Sequence, residues 1–491
     1  MILSAIAGVL VLNNLLIIVI GTLVGLFVGA LPGLGAAIGV ALLLPFTYSM
    51  ETLPAILLLI SLYLGAEYGG SISAITLGIP GTPAAVATVL DGNSLARKGF
   101  PAKAIGYSLT ASTIGGLCGG VVLIGFCGPL ANAAVKLGAP EYALIGLLGL
   151  IAVATLSSRD VFRSVISVFL GLLLSTAGID VLSGHIRFGF DRMELMEGLP
   201  MVPILIGLFA VSEVIQMISD GVNKRYVGQT LGLNSGLKFK EIAVVSKPIL
   251  LGSIIGSVTG IIPGLGAGPA SWFSYSLAKR ISKDPDSFGK GNPEGIVAPE
   301  SSNNATVGAA LVPLLALGIP GSPTTGIILG AFVIHGIQPG PQVFGQNPEL
   351  VYGLFVGFIV SVLAMYVLGR LTTPIWARAL AVPNYILIIS ILVLSLIGAF
   401  TSRMMVFDVF LALAMGLLGF FMKKLDYSLP SFILAFILGT FIEVNFRRSL
   451  MMSNDGYAIF VSRPVSAIIV GLMAIMIFFM VKGMVSRGSK K

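Results

Sequence analysis

Runs of about 18 or more apolar residues recur along the chain, at 104–130, 199–218, 350–369, 384–400 and 464–482, with polar stretches between them. Each run is long enough to cross a hydrocarbon core of ~30 Å as an α-helix. The first apolar stretch, Met1–Leu31, lacks a basic leader and a small-residue cleavage site. It is expected to be a retained membrane segment rather than a removed signal. The pattern predicts an all-α polytopic membrane protein.

Several apolar runs carry interruptions that a simple span does not need. Residues 29–35 read GALPGLG and residues 260–266 read GIIPGLG, while LGIPGTP at 77–83 returns as LGIPGSP at 317–323. Proline and glycine are the strongest breakers of regular structure. The first pair aligns at a shift of 231 residues, from Pro32 to Pro263, and Gly21, Gly25 and Gly29 keep that shift to Gly252, Gly256 and Gly260. The second pair aligns at 240, from Pro80 to Pro320. A polar segment at 282–295, SKDPDSFGKGNPEG, with no counterpart in the first half, accommodates the difference. We therefore expect one repeat at 1–180, connecting helix and loops at 181–229, a second repeat at 230–400, and further transmembrane helices at 401–491.

Composition agrees with the pattern: 56% of residues are hydrophobic and only 10% charged, with a mean hydropathy of +1.00. The net charge of +8 lies in short loops between spans, which reads as positive-inside bias and not as nucleic-acid binding. No Lys or Arg precedes Arg97, and Arg97, Lys98 and Lys103 follow the first LGIPGTP. In the second copy the basic residues flank PGLG instead: Lys224, Arg225, Lys238, Lys240 and Lys247 before it, Lys279, Arg280, Lys283 and Lys290 after it. Equivalent parts of the two copies are thus expected on opposite sides, making the repeats inverted. Two basic flanks around 249–278 fit a re-entrant helical hairpin with PGLG at its tip. A kinked helix followed by a second short helix is the other reading.

Backbone freed by a break inside a bilayer is tolerated only where it is buried in protein or lines a cavity. Paired interruptions in two inverted halves point to the midplane site of a secondary transporter. Freed N–H groups attract anions and freed carbonyls attract cations. Small polar residues adjoin the breaks: Thr82, Ser322, Thr324 and Thr325 directly, and EYGGSIS and PESSNNAT upstream, with Glu67, Tyr68, Ser71, Ser73, Glu300, Ser301, Ser302, Asn303, Asn304 and Thr306. None of the four phrases holds a Lys or Arg, so a substrate carboxylate is expected to meet dipoles, with a co-bound cation supplying counter-charge. Glu67 and Glu300 are candidate cation ligands or proton acceptors.

Other residues carry less. Cys118 and Cys127 have no His or acidic neighbour and read as packing residues; His185 and His335 lie in different loops. Asp408 and Glu443 are expected to pair with Arg403, Arg447 or Arg448, and 180–198 reads as a loop outside the spans. Phosphate-loop, HExxH and GxSxG motifs are absent, which speaks against ATP-driven transport by this chain and against an enzyme.

The phrases GALPGLGAAIGVALLLPFTYSM, EYGGSISAITLGIPGTPAA, LDGNSLARKGFPAKAIG, GIIPGLGAGPASWFSYSLAKR and PESSNNATVGAALVPLLALGIPGSPTT closely resemble the large membrane subunit of the tripartite tricarboxylate transporter family. The resemblance implies a multi-pass protein of the bacterial inner membrane that imports citrate or related carboxylates by cation-coupled symport. It also implies a periplasmic solute-binding protein, a small membrane subunit and an elevator-type arrangement, and by that analogy a homodimer. The expected substrate contacts are Pro32, Gly33, Gly35, Gly81, Thr82, Ser301, Asn303, Asn304, Gly321, Ser322, Thr324 and Thr325. The expected contacts of a coupling ion, Na⁺ or H⁺, are Glu67, Ser71, Gly78, Pro80, Pro263, Gly264, Gly266, Glu300 and Gly318; no other cofactor is implied. A passive pore or a structural subunit of a larger complex remains the alternative.

Overall fold

The structure, a computed structural model, describes residues 2–156, 160–221, 237–379 and 384–488. Lys224 and Arg225, used above to orient the second copy, lie outside the described residues. Eight helices among those described are long and apolar enough to span a membrane.

The first half holds α1 (Ile2–Val9), α2 (Leu12–Ala30), α3 (Gly35–Leu43), α4 (Thr52–Leu77), α5 (Val86–Arg97) and α6 (Pro101–Ala134). Then come α7 (Ala139–Leu156), α8 (Val161–Ser175), α9 (Met201–Ile206), a π-helical turn over Gly207–Val211, and α10 (Ser212–Asp220). The second half holds α11 (Phe239–Val244), α12 (Ser246–Ile261), α13 (Ala267–Ile281), α14 (Glu294–Leu317), α15 (Pro323–Ile334), α16 (Val343–Gln346) and α17 (Pro348–Ala379). The chain ends in α18 (Asn384–Arg403), α19 (Val406–Lys424), α20 (Leu429–Met452), α21 (Ile459–Ser462) and α22 (Pro464–Gly488). The last apolar run, α22, follows a bend of 89° from the short segment before it.

At the centre lie α4 and α14. Every residue from Pro54 to Thr76 in α4 is buried, and every residue from Gly295 to Ala316 in α14. Glycines four apart let α2 lie directly on α4: a methyl group on Gly21, Gly25 or Gly29 would collide with the carbonyl of Leu58, Leu62 or Ala66. On α12, Gly252, Gly256 and Gly260 stand in the same way over the carbonyls of Ala298, Ser302 and Thr306 of α14. Each glycine recurs at the shift of 231 and each carbonyl at the shift of 240. The flanking helices cross over: α6 packs on α14 through Gly115 and Gly119, and α17 packs on α4 through Gly353 and Gly357.

The 180–198 region lies between spans as expected, but it is not all loop. Gly178–Ile179 pairs antiparallel with Ile186–Arg187 in a small ribbon. Asp408 pairs with Arg403 at 2.6 Å, as anticipated. Glu443 takes Arg447 and also Arg187, and both arginines reach Asp180 at 2.6 and 2.7 Å. The Ser183 hydroxyl and the Arg447 guanidinium hold the Asp180 carboxyl well below the ordinary carboxylate range. Cys118 and Cys127 are free thiols, and Cys127 is buried beside the Val312 carbonyl.

Candidate functional site

The repeated words adopt repeated backbone. After α2, Leu31 turns extended (φ −79°, ψ 118°), and after α12, Ile262 does the same (φ −77°, ψ 117°). The glycines that follow take positive φ in both copies: Gly33 and Gly35 at 93° and 62°, Gly264 and Gly266 at 82° and 66°. L-residues with a side chain pay for such angles, so the phrase needs glycine there. The other pair behaves alike. Gly78 ends α4 in the left-handed region (φ 73°, ψ 17°) and Gly318 ends α14 (φ 72°, ψ 19°). Thr82 and Ser322 then run extended into Pro83 and Pro323, which sit in the first turn of the next helical segment.

All four breaks meet at one cavity of about 560 Å³. The first half contributes Gly33, Gly35, Glu67, Pro80, Gly81 and Thr82 to its walls. From the second come Gly264, Gly266, Ser322 and Thr324. The Gly264 amide donates to the Gly321 carbonyl at 2.9 Å, tying the PGLG turn to the LGIPGSP turn. Ser322 caps α15 by accepting from the Thr325 amide, and its hydroxyl lies 3.3 Å from the Tyr63 hydroxyl.

The remaining candidates stand behind the walls. Pro32, Ser71, Gly78, Pro263, Glu300, Ser301, Asn303, Asn304, Gly318, Gly321 and Thr325 are absent from the lining. Pro263 lies against Gly149 of α7, and Gly321 is wedged against Ala310 and the Gly260 carbonyl. Glu300 is fully buried and accepts from Thr88 at 2.5 Å and Ser112 at 3.0 Å. Ser71 and Ser108 share a hydrogen bond of 2.5 Å. By contrast, Glu67 Oε2, Thr82 Oγ1, Ser302 Oγ, Asn303 Oδ1 and both amide atoms of Asn304 are buried without a hydrogen-bond partner. A buried polar atom left unpaired costs about 1–3 kcal/mol.

The phrases hold no basic residue, yet the cavity does. Lys423, at the end of α19, lines it and donates to Glu213 of α10 at 2.8 Å. Glu213 stands against the PGLG turn, where a Cβ on Gly33 would lie 2.7 Å from its Oε1. An ionisable residue inside the apolar run 199–218 was a signal available in the sequence. Asp91 was missed as well. It accepts from the amides of Gly289, Gly291 and Asn292 and from the Tyr275 hydroxyl, so it anchors the polar 282–295 segment to α5.

The sequence profile of the Tripartite tricarboxylate transporter TctA family matches residues 15–434. The chain belongs to that family. It is thus a multi-pass membrane component of a transporter, of a class built with partner proteins. An uncharacterised 52.8 kDa protein of the TAR-I ttuC' 3' region of Agrobacterium vitis is 35% identical over 460 residues, 93% of this chain and 91% of the relative. An uncharacterised protein of the TAR-II ttuC' 3' region of the same organism is 35% identical over 217 residues, 44% of this chain and 90% of the relative. No solved structure matches this TctA-family chain at a significant level.

Proposed function

We propose that this chain is the permease subunit of a binding-protein-dependent, cation-coupled importer of tricarboxylates such as citrate, or of related carboxylates. A periplasmic solute-binding protein delivers the substrate and a small membrane subunit completes the complex, which sits in a bacterial inner membrane as a homodimer. One observation carries the reading: four helix breaks from two halves of the chain surround a single cavity. Its volume of about 560 Å³ falls in the range of small-molecule sites. Freed backbone N–H groups, Thr82, Thr324 and Ser322 meet the carboxylates there, and Lys423 supplies the one positive side chain among the described lining residues.

The two halves, 1–180 and 230–400, act as inverted repeats, joined by 181–229 and followed by 401–491. Equal glycine contacts in the α2–α4 and α12–α14 crossings and equal dihedrals at the breaks support the duplication. Loop charge supports the inversion. Helices α12 and α13 have 16 and 15 residues, short of the ~20 a span requires, which favours a re-entrant hairpin. Moving one part against the other, elevator-fashion, exposes the cavity alternately.

The test is reconstitution in liposomes with both partner proteins and uptake of labelled citrate under an imposed Na⁺ or H⁺ gradient. Uptake should saturate and follow one of the gradients. Flux that is unsaturable and indifferent to both would make the chain a passive pore. Thr324→Ala and Asn304→Ala should raise the apparent KM; wild-type KM in both properly inserted variants would misplace the site.

A further inference from the structure

We infer that the cavity takes dicarboxylates with a hydrocarbon body ahead of tricarboxylates, and that Glu213 sets this limit by neutralising Lys423. The inference rests on the reading above that the cavity takes carboxylates, and narrows the class within it.

The side chains of the wall bring no net positive charge. Among the described lining residues three are ionisable as acid or base in the ordinary pH range: Lys423, Glu213 and Glu67. Glu213 Oε2 takes the lysine at 2.8 Å and cancels its charge. Glu67, whether ionised or protonated, adds nothing positive. What remains are the helix starts. Gly35, Val86, Ala267 and Pro323 are the first residues of α3, α5, α13 and α15, and all four line the cavity. A helix N-terminus carries roughly half an elementary charge, so the four offer about two charges at most. Two carboxylates match that ceiling, and a third enters unmatched.

Hydrogen-bond donors are limited in the same way. Pro83, Pro269 and Pro323 stand at these helix starts and have no N–H to give. The Gly81 and Gly264 amides already donate to the carbonyls of Gly70 and Gly321. Those of Ser322 and Thr325 donate to each other's hydroxyls. A third carboxylate, or a hydroxyl on the substrate, therefore finds few partners and is desolvated at a cost. Between the polar groups the wall is hydrocarbon, from Leu34, Ile38, Phe209, Leu265 and Pro430. Methylenes or a ring suit that surface better than hydroxyls do.

Glu213 turns this shortage into selectivity. Its Oε1 stands at the first PGLG turn, 2.7 Å from where a Cβ on Gly33 would lie, and the residue is only 9% exposed. A buried carboxylate carries a desolvation penalty that a neutral side chain avoids. In this wall it also repels further negative charge, which is how a site rejects a competitor that it could otherwise hold.

The experiment uses the purified full-length chain in nanodiscs in NaCl buffer at about pH 8, where carboxyl groups are ionised. Three acids differ by one group at a time. Propane-1,2,3-tricarboxylate is glutarate with one more carboxylate, and citrate adds a hydroxyl to that. Dissociation constants come from calorimetry. Wild type should bind glutarate about tenfold more tightly than the tricarboxylate, and citrate no more tightly than the tricarboxylate. Glu213→Gln should bring the ratio of the first two close to one, and Glu213→Asp should keep it. Tighter binding of either tricarboxylate in wild type overturns the limit, as does absence of glutarate binding. An unchanged ratio in Glu213→Gln that melts as a folded protein overturns the role of Glu213. The wild-type comparison decides the limit even where that variant fails to fold. Gradient-driven import of citrate by a chain that binds tricarboxylates more tightly sinks the limit and spares the proposed function. Selective glutarate binding in a chain that imports no carboxylate does the reverse.

Discussion

Lys423 Nζ lies 2.8 Å from Glu213 Oε2 at the wall of the cavity, joining α19 to α10 beside the first PGLG turn. The two residues are 210 positions apart in sequence. Both are largely removed from solvent, with 28% and 12% of their side chains exposed.

A lysine so placed has two possible partners, Glu213 and a substrate carboxylate. Lys423→Met should raise the KM for carboxylate uptake about tenfold, the lower end of what a charge-assisted hydrogen bond contributes. Glu213→Gln frees the lysine and should lower KM. The double variant should melt higher than Lys423→Met alone, because the single change strands a buried carboxylate. Uptake kinetics and melting in nanodiscs read both effects, and an unchanged KM in Lys423→Met would remove the lysine from the site.

The crossings of α2 on α4 and α12 on α14 depend on missing side chains. Gly256→Ala places a methyl group against the Ser302 carbonyl and should cost about 1–3 kcal/mol or more. Gly125→Ala, where nothing lies within 4 Å of the added carbon, should leave the melting point unchanged or raised. Equal melting of the two variants would contradict the crossing geometry.

Asp91 gathers three backbone amides of the 282–295 segment and the Tyr275 hydroxyl. Asp91→Ala should release that segment from α5, and limited proteolysis should then cut within 283–291 faster than in wild type. Equal cutting rates would deny Asp91 its anchoring role.

Asp180 holds the ribbon of 178–187 to α20 through Arg187 and Arg447. Its carboxyl titrates below its ordinary value of 3.8, so the ion-pair contribution is complete above that value. It is lost as pH falls through the lowered folded value. Amide protection in residues 178–198, exchange relative to the intrinsic rate at each pH, should therefore stay flat between neutral pH and about pH 5 and fall only in stronger acid. Asp180→Asn should show the reduced, acid-state protection already at neutral pH.

Cysteines introduced at Ser287 and Gln346 should label from opposite sides of the membrane if the halves are inverted. Labelling of both from one side would refute the inversion.

The four breaks were legible in the sequence because proline and positive-φ glycine act locally: Gly78 and Gly318 end their helices wherever those helices lie. The apolar runs were legible because a bilayer tolerates little else. Direction was not. Six of the twelve proposed substrate contacts and four of the nine cation candidates face the cavity, while Gly321 and Pro263 are spent on packing. Repetition identifies which residues break a helix; the neighbouring helix decides which way each one points. Lys423, Glu213 and Asp91 lie outside every repeated phrase, and each partner is about 200 residues away, beyond any local pattern.

Among the eight candidate spans α4 has the lowest mean hydropathy, 1.5, and it is buried throughout. It packs most extensively on α2, from earlier in the chain, and its remaining faces meet α14, α15 and α17 from later. Ser71 and Ser73 find partners within the first half, at Ser108 of α6 and the Gly70 carbonyl, but the bond from Asn303 to the Glu67 carbonyl forms only once α14 has been made. The faces of α4 toward α14, α15 and α17 are completed only when the second half is made. A chain cut before α14 leaves those faces of α4 uncovered, so the burial of this least apolar span is finished from the second half of the chain.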